Sequence, residues 1–294
     1  MSIHRSLVVA LASLLALFGV NAALAAPAGG ASPAPRFSPP GRFYLALGDS
    51  LAFGYQQARF DANAPSEPPA AFNTGYVDDF ASKLAGVRPT IQTVNDSCPG
   101  ETSGSFLNGG CQYTSFGFTL HNSYSGSKMD AALAFLRAHP GAVSPITLDI
   151  GSNDFNGLIS SCGLDGTTCL AQGAPAILSQ YSVNLSRILA ALRNAAPRSE
   201  IIVMQYYDPY APVQPLSIQI VQQQNSIIAA VAATYRARVA DAFTPFNLAP
   251  PQPRTLCTLS LICSQGDIHA SDAGYAVIAE QFWTSSGYGN LIDS

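Results

Sequence analysis

Short apolar runs alternate with longer amphipathic runs through most of this chain, and that alternation limits its fold more than any other feature. Residues 42–47 (RFYLAL), 90–95 (TIQTVN), 145–150 (PITLDI), 200–207 (EIIVMQYY) and 237–242 (ARVADA) read as strands. Residues 75–86, 128–139, 174–196, 217–237 and 272–283 carry apolar side chains at helical spacing. The second of these runs stops before Pro140 and the third before Pro197, because the residue ahead of a proline is pushed out of helical backbone. The order predicts an α/β fold with a mostly parallel sheet and helices on both faces. The central strands lack a clean alternation of apolar and polar residues, as expected when both faces are covered.

In such a sheet the loops after the strands converge at one edge, where sites form. Gly48-Asp49-Ser50 follows the first strand, Asn95 to Gly100-Glu101-Thr102 the second, and Gly151-Ser152-Asn153-Asp154 the third. Gly266-Asp267-Ile268-His269 precedes the last helical run. Taken singly, each is an ordinary turn composition. Together they hold the parts of nucleophilic catalysis. A serine hydroxyl needs a base to take its proton and donors to hold an oxyanion. Ser50 supplies the nucleophile and His269 the base. The backbone N–H groups of Ser50 and Gly100 and the amide of Asn153 supply three donors. Asp49, Asn95 and Asp154 read as loop braces, and His121 and His139 as surface residues.

The blocks GDSL (48–51), NDSCPGETS (95–103), GSND (151–154) and GDIH with ASDAGY (266–275) resemble, in order, those of the SGNH hydrolases, or GDSL esterases and lipases. The resemblance spans nearly all of the chain beyond residue 41. It implies a three-layer α/β/α sandwich with a flavodoxin-like sheet, Ser50 as nucleophile, Gly100 and Asn153 as oxyanion donors, and His269 as base. It implies no metal or organic cofactor. One departure stands out. The family's usual last block is D-x-x-H, but Gly266 occupies that Asp position and Asp267 lies only two residues before His269. Asp267 is the expected acid, with a backbone carbonyl of the Gly266 region as the alternative orienter. The expected substrate is a small-molecule, lipid or acylated carbohydrate ester. A secreted binding protein without turnover is the alternative from another class, and the intact set of Ser50, Gly100, Asn153 and His269 favours the enzyme.

The N-terminus sets the expected compartment. Arg5 precedes an apolar stretch from Leu7 to Val20, and Ala23-Leu24-Ala25 has the small-x-small form of a signal-peptidase site. Residues 1–25 are therefore expected to be a signal peptide, 26–40 a flexible leader rich in Pro, Ala and Gly, and 41–294 one hydrolase domain. The apolar stretch is too short for a typical membrane span, and no later run is long enough, so the mature chain is expected to be soluble and secreted. It is also expected to be monomeric. Charged residues are 11% of the chain against about 25% in typical proteins, and no basic stripe offers a nucleic-acid surface. The six cysteines fall in adjacent pairs. In an oxidising compartment they predict Cys98–Cys111, Cys162–Cys169 and Cys257–Cys263, one of the 15 connectivities open to six cysteines.

Overall fold

The computed structural model describes residues 39–163 and 166–291. The expected signal peptide, and all of the expected leader except Pro39 and Pro40, lie outside them.

Five strands build the sheet: β1 (Phe43–Gly48), β2 (Gln92–Asn95), β3 (Val143–Asp149), β4 (Ile201–Gln205) and β5 (Arg238–Asp241). Their spatial order is β2-β1-β3-β4-β5, and every neighbouring pair is parallel. This is the flavodoxin-like order, in which the chain reverses direction between β1 and β3. All six residues of β1 are buried, which explains its unbroken apolar run. The edge strands β2 and β5 are only partly covered.

Parallel neighbours need crossovers, and their right-handedness sends helices to opposite faces when the chain changes direction. The helices Tyr76–Val87 and Asp272–Ser286 pack together, with Tyr76 stacked on Phe282 at 4.7 Å between ring centroids. The helices Lys128–Ala138, Thr167–Ala195 and Ser217–Thr234 pack side by side. The chain thus has the three-layer α/β/α architecture that the alternation and the motif blocks imply.

Two helical features differ from expectation. The long helix starts at Thr167, not 174, and carries Pro175 inside it. Leu170, Ala174 and Leu178 bury themselves against Phe155 and Ile220, and this packing offsets the backbone bond lost at proline. Ser152–Cys162 is also helical, and its few apolar residues, Phe155, Leu158, Ile159 and Cys162, fall at helical spacing and share one cluster, a signal masked by the polar and glycine residues between them.

The three expected disulfides are present, at Cys98–Cys111, Cys162–Cys169 and Cys257–Cys263. Cys98 is two residues before Gly100. Cys162 ends the helix that begins beside Asn153 and joins it to the long helix. Cys257 and Cys263 flank Ser260 and Leu261, which pair with Ala270 and the His269 carbonyl.

Candidate active site

β1 ends where Ser50 begins. Gly48 is required there by crowding, because a Cβ on it would lie 1.9 Å from Asp149 Oδ1. Asp49 then caps the short helix Ser50–Phe53, its Oδ1 accepting the Leu51 N–H at 3.0 Å. Asp49 Oδ2 accepts from the Ser152 hydroxyl at 3.0 Å and the Tyr206 hydroxyl at 3.2 Å. Behind this helix the buried Asp149 accepts from the Tyr76 hydroxyl at 2.6 Å and from the backbone of Asp49 and Ala52. Burial, and then the nearby Asp49 carboxylate, push the Asp149 carboxyl well above its ordinary range. Ser50 is thus held by a polar frame while its side chain meets His269 in the wall of a cleft.

His269 Nε2 lies 2.9 Å from Ser50 Oγ, and His269 Nδ1 lies 2.5 Å from Asp267 Oδ1. An ionised carboxylate only accepts, so Nδ1 carries the hydrogen and Nε2 is left to accept from the serine. The short D-x-H spacing works because the chain turns at Asp267, whose Oδ1 accepts the N–H of the residue two on and so lies against the His269 ring. The Tyr207 hydroxyl holds the intervening Ile268 carbonyl at 2.8 Å. Asp267 Oδ2 also accepts the Gln57 N–H at 2.9 Å, and Oδ1 the His269 N–H at 3.2 Å. Burial pushes the Asp267 carboxyl up, but the hydrogen bonds and charge of His269, with the two N–H groups, outweigh it and hold the carboxyl below its ordinary range. The side chain of Asp267, not a carbonyl of the Gly266 region, therefore faces the imidazole.

Gly100 and Asn153 line the same cleft as Ser50 and His269. Pro99-Gly100 forms a turn closed by the Glu101 N–H on the Cys98 carbonyl at 3.2 Å. Glycine at φ +80° is what a turn with proline before it demands at this position. Asn153 Nδ2 donates one hydrogen to the Glu101 carbonyl at 3.0 Å, which fixes the amide and leaves its second hydrogen for the cleft. The cleft holds about 370 Å³ and is walled by Tyr55, Phe60, Tyr113 and Phe118, with Phe116 67% exposed at one side. A second, narrower pocket of about 50 Å³ also touches Ser50 and His269 and is lined by Leu51, Phe155, Ile159 and Val221.

The expected loop braces act as such. Asn95 Nδ2 donates to the Ala52 carbonyl at 2.9 Å, and Asp154 accepts from the Ser103 N–H at 2.8 Å. His139 caps a helix, its Nδ1 3.0 Å from the Phe135 carbonyl oxygen. Neither histidine is fully exposed: both are half-buried, and His121 has Nε2 2.9 Å from the Phe53 carbonyl oxygen. Sequence reasoning also missed Lys128 and Glu101, which pair in full burial directly beneath the site. Burial pushes the Glu101 carboxyl up, and Lys128 beside it pulls it partly back. The one signal was scarcity: Lys128 is one of two lysines in the chain, and it opens an apolar helix.

The sequence profile of the GDSL-like lipase/acylhydrolase family matches residues 46–277, and these contain every segment just described. The chain belongs to that family and is a carboxylic ester hydrolase of the GDSL type. Solved structures share the fold at low identity. An acetylxylan esterase from Geobacillus stearothermophilus superposes with a TM-score of 0.53 at 18% identity, covering 84% of this chain and 95% of its own. An alpha/beta hydrolase enzyme from the metagenome of Lake Arreo gives a TM-score of 0.53 at 16% identity, covering 85% and 97%. A comparison with curated protein sequences gave no match.

Proposed function

We propose that this chain is a secreted serine esterase that cleaves carboxylic esters through an acyl-enzyme on Ser50. The observation that carries the reading is the chain of contacts from Ser50 Oγ through both nitrogens of His269 to Asp267. Ser50 Oγ attacks the ester carbonyl carbon while its proton passes to His269 Nε2. Asp267 stabilises the imidazolium without taking its proton. The tetrahedral oxyanion accepts from the Ser50 and Gly100 N–H groups and from Asn153 Nδ2. Collapse breaks the ester C–O bond, and the imidazolium proton goes to the departing alkoxide. Water then attacks the acyl-enzyme with His269 as base, and the acid leaves as Ser50 regains its proton.

Export is supported by the leader pattern at the N-terminus and by the three disulfides, which persist in oxidising compartments. An acylated carbohydrate is a second reading of the substrate. It is favoured by aromatic rings in the open cleft, which suit the faces of sugar rings, and the Geobacillus protein of the same fold is an acetylxylan esterase. A panel of p-nitrophenyl esters of rising chain length, a phospholipid and acetylated xylan, assayed with wild type and Ser50→Ala, tests the function. Turnover in wild type that Ser50→Ala abolishes supports it. No turnover of any ester by folded wild type would favour a binding protein.

A further inference from the structure

Lys128 has no part in the acid–base route, yet it is fully buried and sits where three segments of the site meet. Its Nζ donates to the Gly48 carbonyl oxygen, two residues before Ser50, and pairs with the Glu101 carboxylate. Its ammonium also lies 5.6 Å from the centre of the Phe106 ring. The Gly48 carbonyl accepts a second bond, from the Cys98 N–H at 3.1 Å, at the start of the Pro99-Gly100 turn. Glu101 ends that turn, and its carbonyl is the acceptor that fixes the Asn153 amide.

From these contacts we infer that Lys128 and Glu101 are positioning residues that register the oxyanion donors against Ser50. The three donors come from three separate loops, after β1, β2 and β3. Each loop could keep its own fold and still miss the developing oxyanion by about 1 Å, enough to cost catalysis. The Lys128–Glu101 pair removes that freedom. Glu101 holds Gly100 through the backbone and Asn153 through its carbonyl, while Lys128 ties the Glu101 side chain to the end of β1. A salt bridge placed only for stability has no need to join these particular points, since a buried pair is often no more stabilising than apolar residues of the same volume.

The inference rests on the acyl-enzyme reading, and the experiment separates the two. Wild-type turnover and its loss in Ser50→Ala are measured first; failure there defeats that reading and not the pair. Lys128→Met with Glu101→Leu then replaces the pair by apolar residues, avoiding a lone buried charge. Glu101→Asp keeps the charge and retracts the carboxylate by one methylene, so it serves if the apolar pair fails to fold. Thermal melting checks each fold. The expected result in a folded variant is a fall in kcat of about 10²-fold, the scale of a misplacement near 1 Å, with KM little changed. Asn153→Ala is then added to each background. Alone it should cost roughly 10²–10³ in kcat, and in the variant background much less, because the amide is already misplaced. Wild-type kcat in a folded variant would overturn the inference. So would a kcat loss that simply multiplies with that of Asn153→Ala, which marks a general structural role.

Discussion

Replacing Asp267 by Asn tests the electrostatics of the site with almost no change of shape. The carboxylate accepts three hydrogen bonds: at Oδ1 from His269 Nδ1 at 2.5 Å and from the His269 N–H at 3.2 Å, and at Oδ2 from the Gln57 N–H at 2.9 Å. An amide has only one acceptor oxygen, so one side must face a donor with its NH₂ group. With oxygen at the Oδ1 position, the Gln57 bond is lost. With nitrogen there, Gln57 keeps its bond, the imidazole moves its hydrogen to Nε2, and only the long 3.2 Å contact is lost. The second arrangement sacrifices the weaker bond and is the one expected. It leaves Nε2 unable to take the Ser50 proton. The analogous change in a serine protease costs about 10⁴ in kcat through the same wrong tautomer. Four decades correspond to about 5.4 kcal/mol of barrier. The assay is steady-state hydrolysis of a p-nitrophenyl ester across pH, with melting to verify the fold. Activity should recover in part at high pH, where a stronger base is present. A loss under tenfold in a folded Asp267→Asn variant, with His269→Ala inactive, would refute this reasoning and leave the backbone as the orienter.

Other expected outcomes follow from the same geometry. Asn153→Ala should lower kcat by roughly 10²–10³ with little effect on KM, and a change confined to KM would instead mark a substrate-positioning role. Reducing the three disulfides should lower the Tm, since closing a loop of about 15 residues contributes about 3 kcal/mol and shorter loops less; native protein with free thiols by mass spectrometry would contradict the pairing. Burial pushes the Asp208 carboxyl up to about 6, so the folded state binds its proton more tightly than the unfolded chain. Its contribution to stability is therefore full below the unfolded value near 4 and falls as pH rises toward about 6; Asp208→Asn should flatten the Tm profile over that window, and an unchanged profile would contradict the assignment. The route through Ser50, His269 and Asp267 uses no metal, so a chelator should leave turnover unchanged, and its loss would require another mechanism.

The sheet was legible because its central strands β1, β3 and β4 carry their signal locally, in apolar runs that burial on two faces demands, while the partly covered edge strands β2 and β5 follow from their place in the alternation. The motif blocks were legible because a strand end, a Pro-Gly turn and a helix start each use few residue types. Lys128 and Glu101 were not legible. They lie 27 positions apart by number, and a lone lysine at a helix start is normally solvent-facing. Only the packing of the helix Lys128–Ala138 over β1 reveals the pair. The start of the long helix was missed for a related reason. Proline at 175 is a local stop signal, and the contacts that override it come from Phe155 and Ile220, far away in sequence. His121 was misread because the Phe53 carbonyl that it contacts lies 68 residues away.

The central claim is a covalent acyl-enzyme on Ser50, and intact-protein mass spectrometry with peptide mapping tests it most directly. Wild type should gain one adduct from a fluorophosphonate, placed on Ser50, and should show a transient acyl adduct at the same residue when quenched during turnover of an activated ester. Ser50→Ala should show neither and should lose turnover by about 10⁶-fold, as a serine hydrolase without its nucleophile does. An adduct on another residue, or a folded Ser50→Ala variant that still turns over esters near the wild-type rate, would contradict the account.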